Sequence, residues 1–252
     1  MTWSIVARDP QTGAIGIAVA SRFFAVGARV PFVAPDVGAV ATQALINPLY
    51  GPRGLDLLRA GAAADAVVRA LVADDTGRDH RQVQVMDAQG RFAAHTGAAC
   101  VDWCGAICDD LCGLAGNMLA GPQVLEETAR AYRENADLSF PRRLILAMAA
   151  GEAAGGDKRG KQSAGLVIHV GEDWPDLDLR VDDHPEPIAE LARLERVSRE
   201  RWVHFKRYLA TRADPAGITD RARIDAEIAA AVAAAQASDA GVASAAEEAP
   251  AA

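Results

Sequence analysis

The stretch Met1-Thr2-Trp3-Ser4-Ile5-Val6-Ala7-Arg8-Asp9-Pro10-Gln11-Thr12-Gly13-Ala14-Ile15-Gly16-Ile17-Ala18-Val19-Ala20-Ser21-Arg22 decides the fold. Residues 3–7 predict a short strand. Residues 9–13 carry turn chemistry: proline pre-sets φ, glycine supplies φ > 0, and Asp9 can bond back to the backbone. Residues 14–20 are apolar throughout, the pattern of a strand covered on both faces. The sum is a β-hairpin at the start of the chain, where most proteins are loosely held. Thr2 stands one residue before a core strand, with Met1 ahead of it. Threonine is small enough for methionine aminopeptidase to release Met1. That leaves an α-amine beside a hydroxyl, and such an amine can act as base for the nucleophile. The competing reading is an N-terminal strand with an ordinary threonine start.

Working outward, the order of elements follows from periodicity and breakers. Residues 28–35 and 38–45 predict two further strands. Residues 47–52 form a loop, and Pro52 suits the first turn of a short helix ending at Gly61. Residues 64–73 repeat an amphipathic pattern through Val67, Val68, Leu71 and Val72. Residues 82–86 alternate polar and apolar, residues 87–90 turn, and residues 91–95 continue as a strand. A third run over 111–119 predicts the last strand of a meander. Helices are expected over 122–135 and 141–154, then strands over 162–170 and 176–181. Two helix pairs divided among hairpin-built sheets predict an α+β fold, a four-layer α/β/β/α sandwich. A doubly wound sheet would alternate strand and helix one for one.

Beyond 182–187 the character changes. Residues 188–209 read as one charged amphipathic helix with Leu191, Leu194, Val197, Trp202 and Phe205 on its apolar face, and that face would suit a homodimer contact. Residues 214–217 break it and 224–235 are helical by composition. Residues 236–252 are Ala-, Ser-, Glu- and Gly-rich and predict a frayed tail. The expected organisation is therefore a domain over 1–184, a helical extension over 185–235, and a disordered tail.

The 252 residues are half hydrophobic and carry a net charge of −8. Scattered basic residues argue against nucleic acid, which wants a concentrated Lys/Arg face. No apolar stretch approaches the roughly 20 residues that span a bilayer, and no basic-then-apolar leader is visible. The expectation is a soluble, cytoplasmic protein that takes a small-molecule substrate, with no membrane partner. Cys100, Cys104, Cys108 and Cys112 recur at every fourth position, which invites a metal hypothesis. Against it stand a strand-like context, the absence of C-x2-C spacing and the absence of histidine from the stripe. Small buried thiols are the preferred reading. Asp182, Asp183 and His184 read as a solvated linker rather than a metal trio, so no metal or cofactor is expected.

The sequence resembles the family called domain of unknown function 1028, and through it the N-terminal-nucleophile (Ntn) hydrolases. The resemblance rests on residues 2–7 (Thr-Trp-Ser-Ile-Val-Ala), 23–27 (Phe-Phe-Ala-Val-Gly) and 38–43 (Gly-Ala-Val-Ala-Thr-Gln). It continues through Asn47-Pro48 with Tyr50-Gly51, His95-Thr96-Gly97, Gly116-Asn117 with Leu119-Ala120-Gly121, and residues 155–163. It implies the Ntn fold and a nucleophile at Thr2, or at Ser4 if the chain is processed before it. Similarity to proteasome-type hydrolases further implies that Asp157 and Ser163 support the nucleophile. Those relatives also use a lysine on the early strands. Here the lysines are Lys158, Lys161 and Lys206 only, and neither Arg22 nor Arg29 can act as a neutral base. The α-amine could take that role. Family members often carry a C-terminal extension described as peptidoglycan-binding.

Other candidates complete the expected site. Gln43 in an apolar strand needs partners or a ligand. Asn47 and Tyr50 form a polar loop, and His95 ends a strand at a cleft rim. Asn117 can donate to an oxyanion. The Gly-rich basic loop with Lys161 and Gln162 is expected to close over an anionic substrate end; it lacks P-loop spacing. The expected function is hydrolysis of an amide or related C–N bond in a small polar molecule. The alternatives are a binding protein on the same fold that retains Met1, and a cell-wall-associated binding module.

Overall fold

The hairpin forms as its residues dictate. In the computed structural model, which describes residues 2–247, β1 (Thr2–Arg8) and β2 (Ile15–Ser21) pair antiparallel from Trp3↔Ala20 to Arg8↔Ile15. Asp9 closes the turn, accepting the Gln11 N–H at 3.1 Å and the Thr12 hydroxyl at 2.5 Å, while Gly13 takes φ 74°.

The chain continues through β3 (Pro31–Ala34), β4 (Gly38–Ala44), α1 (Tyr50–Arg59), α2 (Ala64–Ala73), β5 (Arg81–Asp87), β6 (Phe92–Thr96) and β7 (Gly105–Cys108). Then come β8 (Cys112–Asn117), α3 (Gln123–Glu134), α4 (Phe140–Ala153), β9 (Ser163–His169), β10 (Leu177–Val181), α5 (Pro187–Ser198), α6 (Trp202–Phe205) and α7 (Arg221–Glu247). Among the described residues this is a mixed α+β protein with two antiparallel sheets and seven α-helices. The first sheet runs β10-β9-β2-β1-β8-β7 and the second β3-β4-β5-β6.

Alternation assigns the faces. On one face of the first sheet, Val6, Ile15, Ile17 and Val19 join Ala39, Ala41 and Met86 of the second sheet in one buried cluster. On the outer face of the second sheet, Val40, Val83 and Val85 pack with Leu55, Leu58, Val67 and Leu71 of α1 and α2. α4 lies against β2: a Cβ on Gly16 would come within 2.8 Å of the Leu144 side chain and 2.9 Å of Phe140.

Three expectations are corrected. The run over 111–119 is not the third strand of a meander. The β7–β8 hairpin joins the first sheet, where β8 pairs with β1 from Thr2↔Asn117 to Ala7↔Cys112. All six residues of β8 are buried, and the flank of β1 supplies cover that an edge position would not. The single helix expected over 188–209 is broken between α5 and α6. Leu191 is buried whereas Val197 is exposed, so the proposed apolar face is not continuous. The frayed tail is helical as far as Glu247 in α7, in keeping with the helix propensity of alanine; residues 248–252 of that expectation lie outside the described residues.

By its contacts the chain divides into two compact units between Arg193 and Leu194, inside α5 and downstream of the boundary drawn at 184 from composition. The second unit has its own small core, with Tyr208, Ile224 and Ile228 buried against Phe205 and Ile218. No helix among the described residues is long and apolar enough to cross a membrane.

Gly38, which opens β4, carries a test of this packing. Its φ is +141°, and a Cβ there would lie 2.2 Å from the Met86 carbonyl oxygen. Gly38→Ala is expected to lose about 2 kcal/mol or more of stability, read as a lower urea midpoint. An unchanged midpoint would contradict the register Gly38↔Asp87.

Candidate functional site

The space between the sheets is apolar at one end and polar at the other. At the polar end, cross-strand register lines up four residues of the first sheet. Asn117 lies opposite Thr2 and Ser21 opposite Ser163, and the Thr2 hydroxyl donates to Ser21 Oγ at 3.1 Å. All four are buried, Thr2 being 5 % exposed. Gln43 and Gln82 of the second sheet are register partners, and Gln84 shares their face of the sheet.

These groups form one network. Gln82 Nε2 donates to Thr96 Oγ1 at 2.9 Å and to the carbonyls of Gly116 at 2.8 Å and Gly105 at 3.1 Å. Its Oε1 accepts from Gln43 Nε2 at 2.8 Å and from Asn117 Nδ2 at 3.0 Å. The same two amides reach the Thr2 carbonyl at 3.4 and 3.5 Å. The Ser4 hydroxyl donates to Gln43 Oε1 and accepts from Gln84 Nε2, both at 2.7 Å. Ser4 is therefore held between two amides with no exposed surface.

Asp157 and Ser163 organise the segment that leaves β2. The Asp157 carboxylate accepts the Arg22 N–H at 2.8 Å and the Arg159 N–H at 2.9 Å. Ser163 Oγ accepts the Val26 N–H at 3.1 Å and donates to the Phe23 carbonyl at 2.5 Å. Both act on residues 22–26, immediately after Ser21.

A pocket of about 100 Å³ opens beside this row, walled by Trp3, Ser21, Glu152, Gly156, Asp157 and Lys161. A wider depression of about 290 Å³ is lined by Arg22, Lys161, Gln162, Asp183 and His184. Lys161 belongs to both. Three non-glycine residues near the polar end adopt left-handed backbone: Ala25 (φ 54°), Ala44 (φ 67°) and Met118 (φ 54°). Ala44 follows Gln43 directly, Met118 follows Asn117 directly, and Ala25 lies in the segment Ser163 holds. Such conformations cost of order 1–3 kcal/mol each and gather at functional sites.

The structure does not bring Asn47, Tyr50 or His95 to Thr2. Asn47 and Tyr50, expected to meet substrate, instead hold Asp75, whose Oδ2 accepts from Asn47 Nδ2 at 3.0 Å, Tyr50 OH at 2.8 Å and Arg81 Nε at 3.0 Å. His95 pairs with Val83 in register and so shares the helix-covered face of the second sheet. Its Nε2 lies 3.1 Å from the Arg78 carbonyl oxygen. Asn117, expected as an oxyanion donor, spends its Nδ2 on Gln82 and on the Thr2 carbonyl. Of the thiols, Cys100 and Cys112 are buried, Cys104 is half-buried and Cys108 exposed; burial pushes Cys112 up to about 12. Among the described residues no cluster of three or more His, Cys, Asp or Glu is placed to hold a metal ion.

Sequence reasoning missed Gln82, Gln84 and Ser21. The signal was present: two glutamines at alternate positions of one strand, on the face shared with Gln43. The alternation of residues 82–86 did not show where the polar face would lie, and both faces of β5 are covered.

Asp75 makes a prediction about pH. Burial would raise its carboxyl, but hydrogen bonds from Asn47, Tyr50, the Gly77 N–H and Arg81 outweigh it and hold the group well below the usual carboxylate range. A depressed folded pKa stabilises above the unfolded value near 3.9, and that contribution is lost as pH falls toward the folded value. Asp75→Asn is therefore expected to cost about 1–2 kcal/mol at neutral pH, with the gap to wild type narrowing below about pH 4. Denaturation at several pH values checks it; a gap that widens on acidification would contradict it.

Two β-sheets meeting at a buried hydroxyl–amide network beside a pocket define a fold with a candidate site at the start of β1. The model of the family of unknown function DUF1028 matches residues 2–191, and the chain belongs to that family. It is similar to protein SPO2555 from Silicibacter pomeroyi, a DUF1028 protein of known crystal structure. The two share 34 % identity over 87 % of this chain and 96 % of that one, with a TM-score of 0.81. Anbu, the ancestral beta-subunit from Yersinia bercovieri, aligns at 11 % identity over 78 % of this chain and 94 % of that one, with a TM-score of 0.39. No protein of curated function matches the sequence.

Proposed function

We propose that this chain is a hydrolase of an amide or related C–N bond in a small polar molecule, built on an Ntn-type four-layer α/β/β/α sandwich, with Thr2 as nucleophile. The observation that carries the reading is the place of Thr2: first in β1, its hydroxyl bonded to Ser21, and Ser21 forming the wall of a pocket. Once Met1 is released, the α-amine takes the hydroxyl proton while Oγ1 attacks the substrate carbonyl carbon. The tetrahedral intermediate expels the amine, which receives that proton. Water then hydrolyses the acyl ester on Thr2 and restores the hydroxyl. Asn117 and Gln43, by binding the Thr2 carbonyl, position the nucleophile. Asp157 and Ser163 position residues 22–26 at its side. The left-handed residues after Gln43 and Asn117 agree with a site where geometry has been set at some energetic cost.

A second reading has one observation in its favour. Thr2 is 5 % exposed, and the side-chain amides nearest it are engaged with its own carbonyl and with Gln82. A protein that keeps the fold for binding alone, with Met1 retained, would need no more than that. Intact-mass measurement separates the two. Loss of one methionine is expected; a retained Met1 with no internal cleavage would overturn the assignment of Thr2.

A further inference from the structure

The two depressions meet at Lys161, and their chemistry differs. The inner one is walled by Ser21, whose hydroxyl accepts from Thr2 Oγ1, whereas the outer one presents the cations of Arg22 and Lys161 beside the Gln162 amide. The acids around them are unequal. Asp157 is engaged by two backbone N–H groups and the Arg159 guanidinium, and Asp183 accepts from Gln162 Nε2 at 3.1 Å. Glu152, 17 % exposed, pairs with Lys161 at 3.0 Å from the inner side. Glu186 pairs with it at 2.5 Å from the outer side, and its side chain is 57 % exposed. An ion pair that open contributes only about 0–1 kcal/mol. Of the two ion pairs of Lys161, it is the one that a ligand displaces at less cost.

The backbone of this loop suits glycine: Gly156 has φ +49° and Gly160 φ +108°.

We infer that the substrate is a small amide bearing a free carboxylate, of the N-acyl amino acid type, and that this carboxylate replaces Glu186 on Lys161 while Arg22 lies alongside. The acyl end then lies toward Ser21 and Thr2. Glu186 acts as a stand-in that neutralises Lys161 when the cleft holds no anion. This inference rests on the hydrolase reading for the word substrate, but it is tested by binding alone.

The experiment is isothermal titration of the Thr2→Ala protein, in the full chain, with N-acetylglycine and with its neutral counterpart N-acetylglycinamide. The acid is expected to bind about tenfold or more tightly than the amide, as loss of a charge-assisted pair implies. Lys161→Gln should abolish that preference and Glu186→Gln should tighten the acid by removing its competitor. Equal affinity for the two probes, or no binding of either, overturns the proposal. So does a Glu186→Gln protein that binds the acid no better, an arm that decides the matter even if Lys161→Gln fails to fold. A carboxylate preference in a protein whose Thr2 proves inert would leave this site standing and remove only the nucleophile. The reverse result would do the opposite.

Discussion

Thr2→Ala is expected to abolish hydrolysis of any substrate found in a panel of small amides, lactams and acylated amino acids, with a loss in kcat of roughly 10⁴-fold or more. The size follows from the role: removing the attacking oxygen leaves positioning and electrostatics but no covalent route. The fold should survive. Thr2 Oγ1 donates to Ser21 Oγ at the end of the row, so its loss costs about 1 kcal/mol, and the β1–β2 and β1–β8 ladders do not depend on it. Thr2→Ser should keep partial turnover, because the hydroxyl and its α-amine remain. Undiminished turnover in Thr2→Ala, with the variant folded, would move the chemistry elsewhere. Ser4 is a poor heir, since its hydroxyl is held between Gln43 and Gln84.

Gln82→Leu should produce the largest loss of stability of any single change proposed for this protein, about 3–5 kcal/mol. Gln82 has no exposed surface, and its amide serves five partners on four strands. Leucine matches the volume but leaves Gln43 Nε2, Asn117 Nδ2 and the Gly116 carbonyl short of their partner in a water-poor space. Each such group costs about 1–3 kcal/mol. Gln84→Leu is the control. Gln84 Oε1 is already without a partner among the described residues, so there the loss should be smaller. Urea denaturation of the two variants compares them; equal losses would contradict the central place given to Gln82. Because Gln43 and Asn117 also hold the Thr2 carbonyl, Gln82→Leu should lower turnover as well.

The elements were largely legible, and for local reasons. The β1–β2 hairpin follows from Asp9, Gly13 and an unbroken apolar run, α2 from the spacing of Val67, Val68 and Leu71, and the helix pair α3–α4 from amphipathic periodicity between breakers. Gln43 could be singled out because a polar residue in a buried strand requires partners, Thr2 by its place at the start of β1, Asn117 as a donor beside a glycine, and Ser163 through the family resemblance. The rest depended on which sheet a strand joins. Nothing local tells β8 to pair with β1 rather than β6, so Asn117 could be suspected but not set opposite Thr2. The same ignorance of faces made Asn47, Tyr50 and His95 look like site residues. They lie on or beside the helix-covered side of the second sheet, where Asp75 accepts from both Asn47 and Tyr50.

Propensity, turn chemistry and the alternation of side chains act over a few residues, so the chain by itself determined where its strands and helices run and that a hydroxyl begins the first of them. Only the packing of one sheet on the other decided that Gln82 and Gln84 meet that hydroxyl's strand, and only the assembly of the first sheet with its loops decided that Lys161 stands between an inner pocket and solvent. Those relations join residues tens to more than a hundred positions apart. They are settled by burial of apolar faces and by the need of every buried amide for a partner, neither of which is written at any single position.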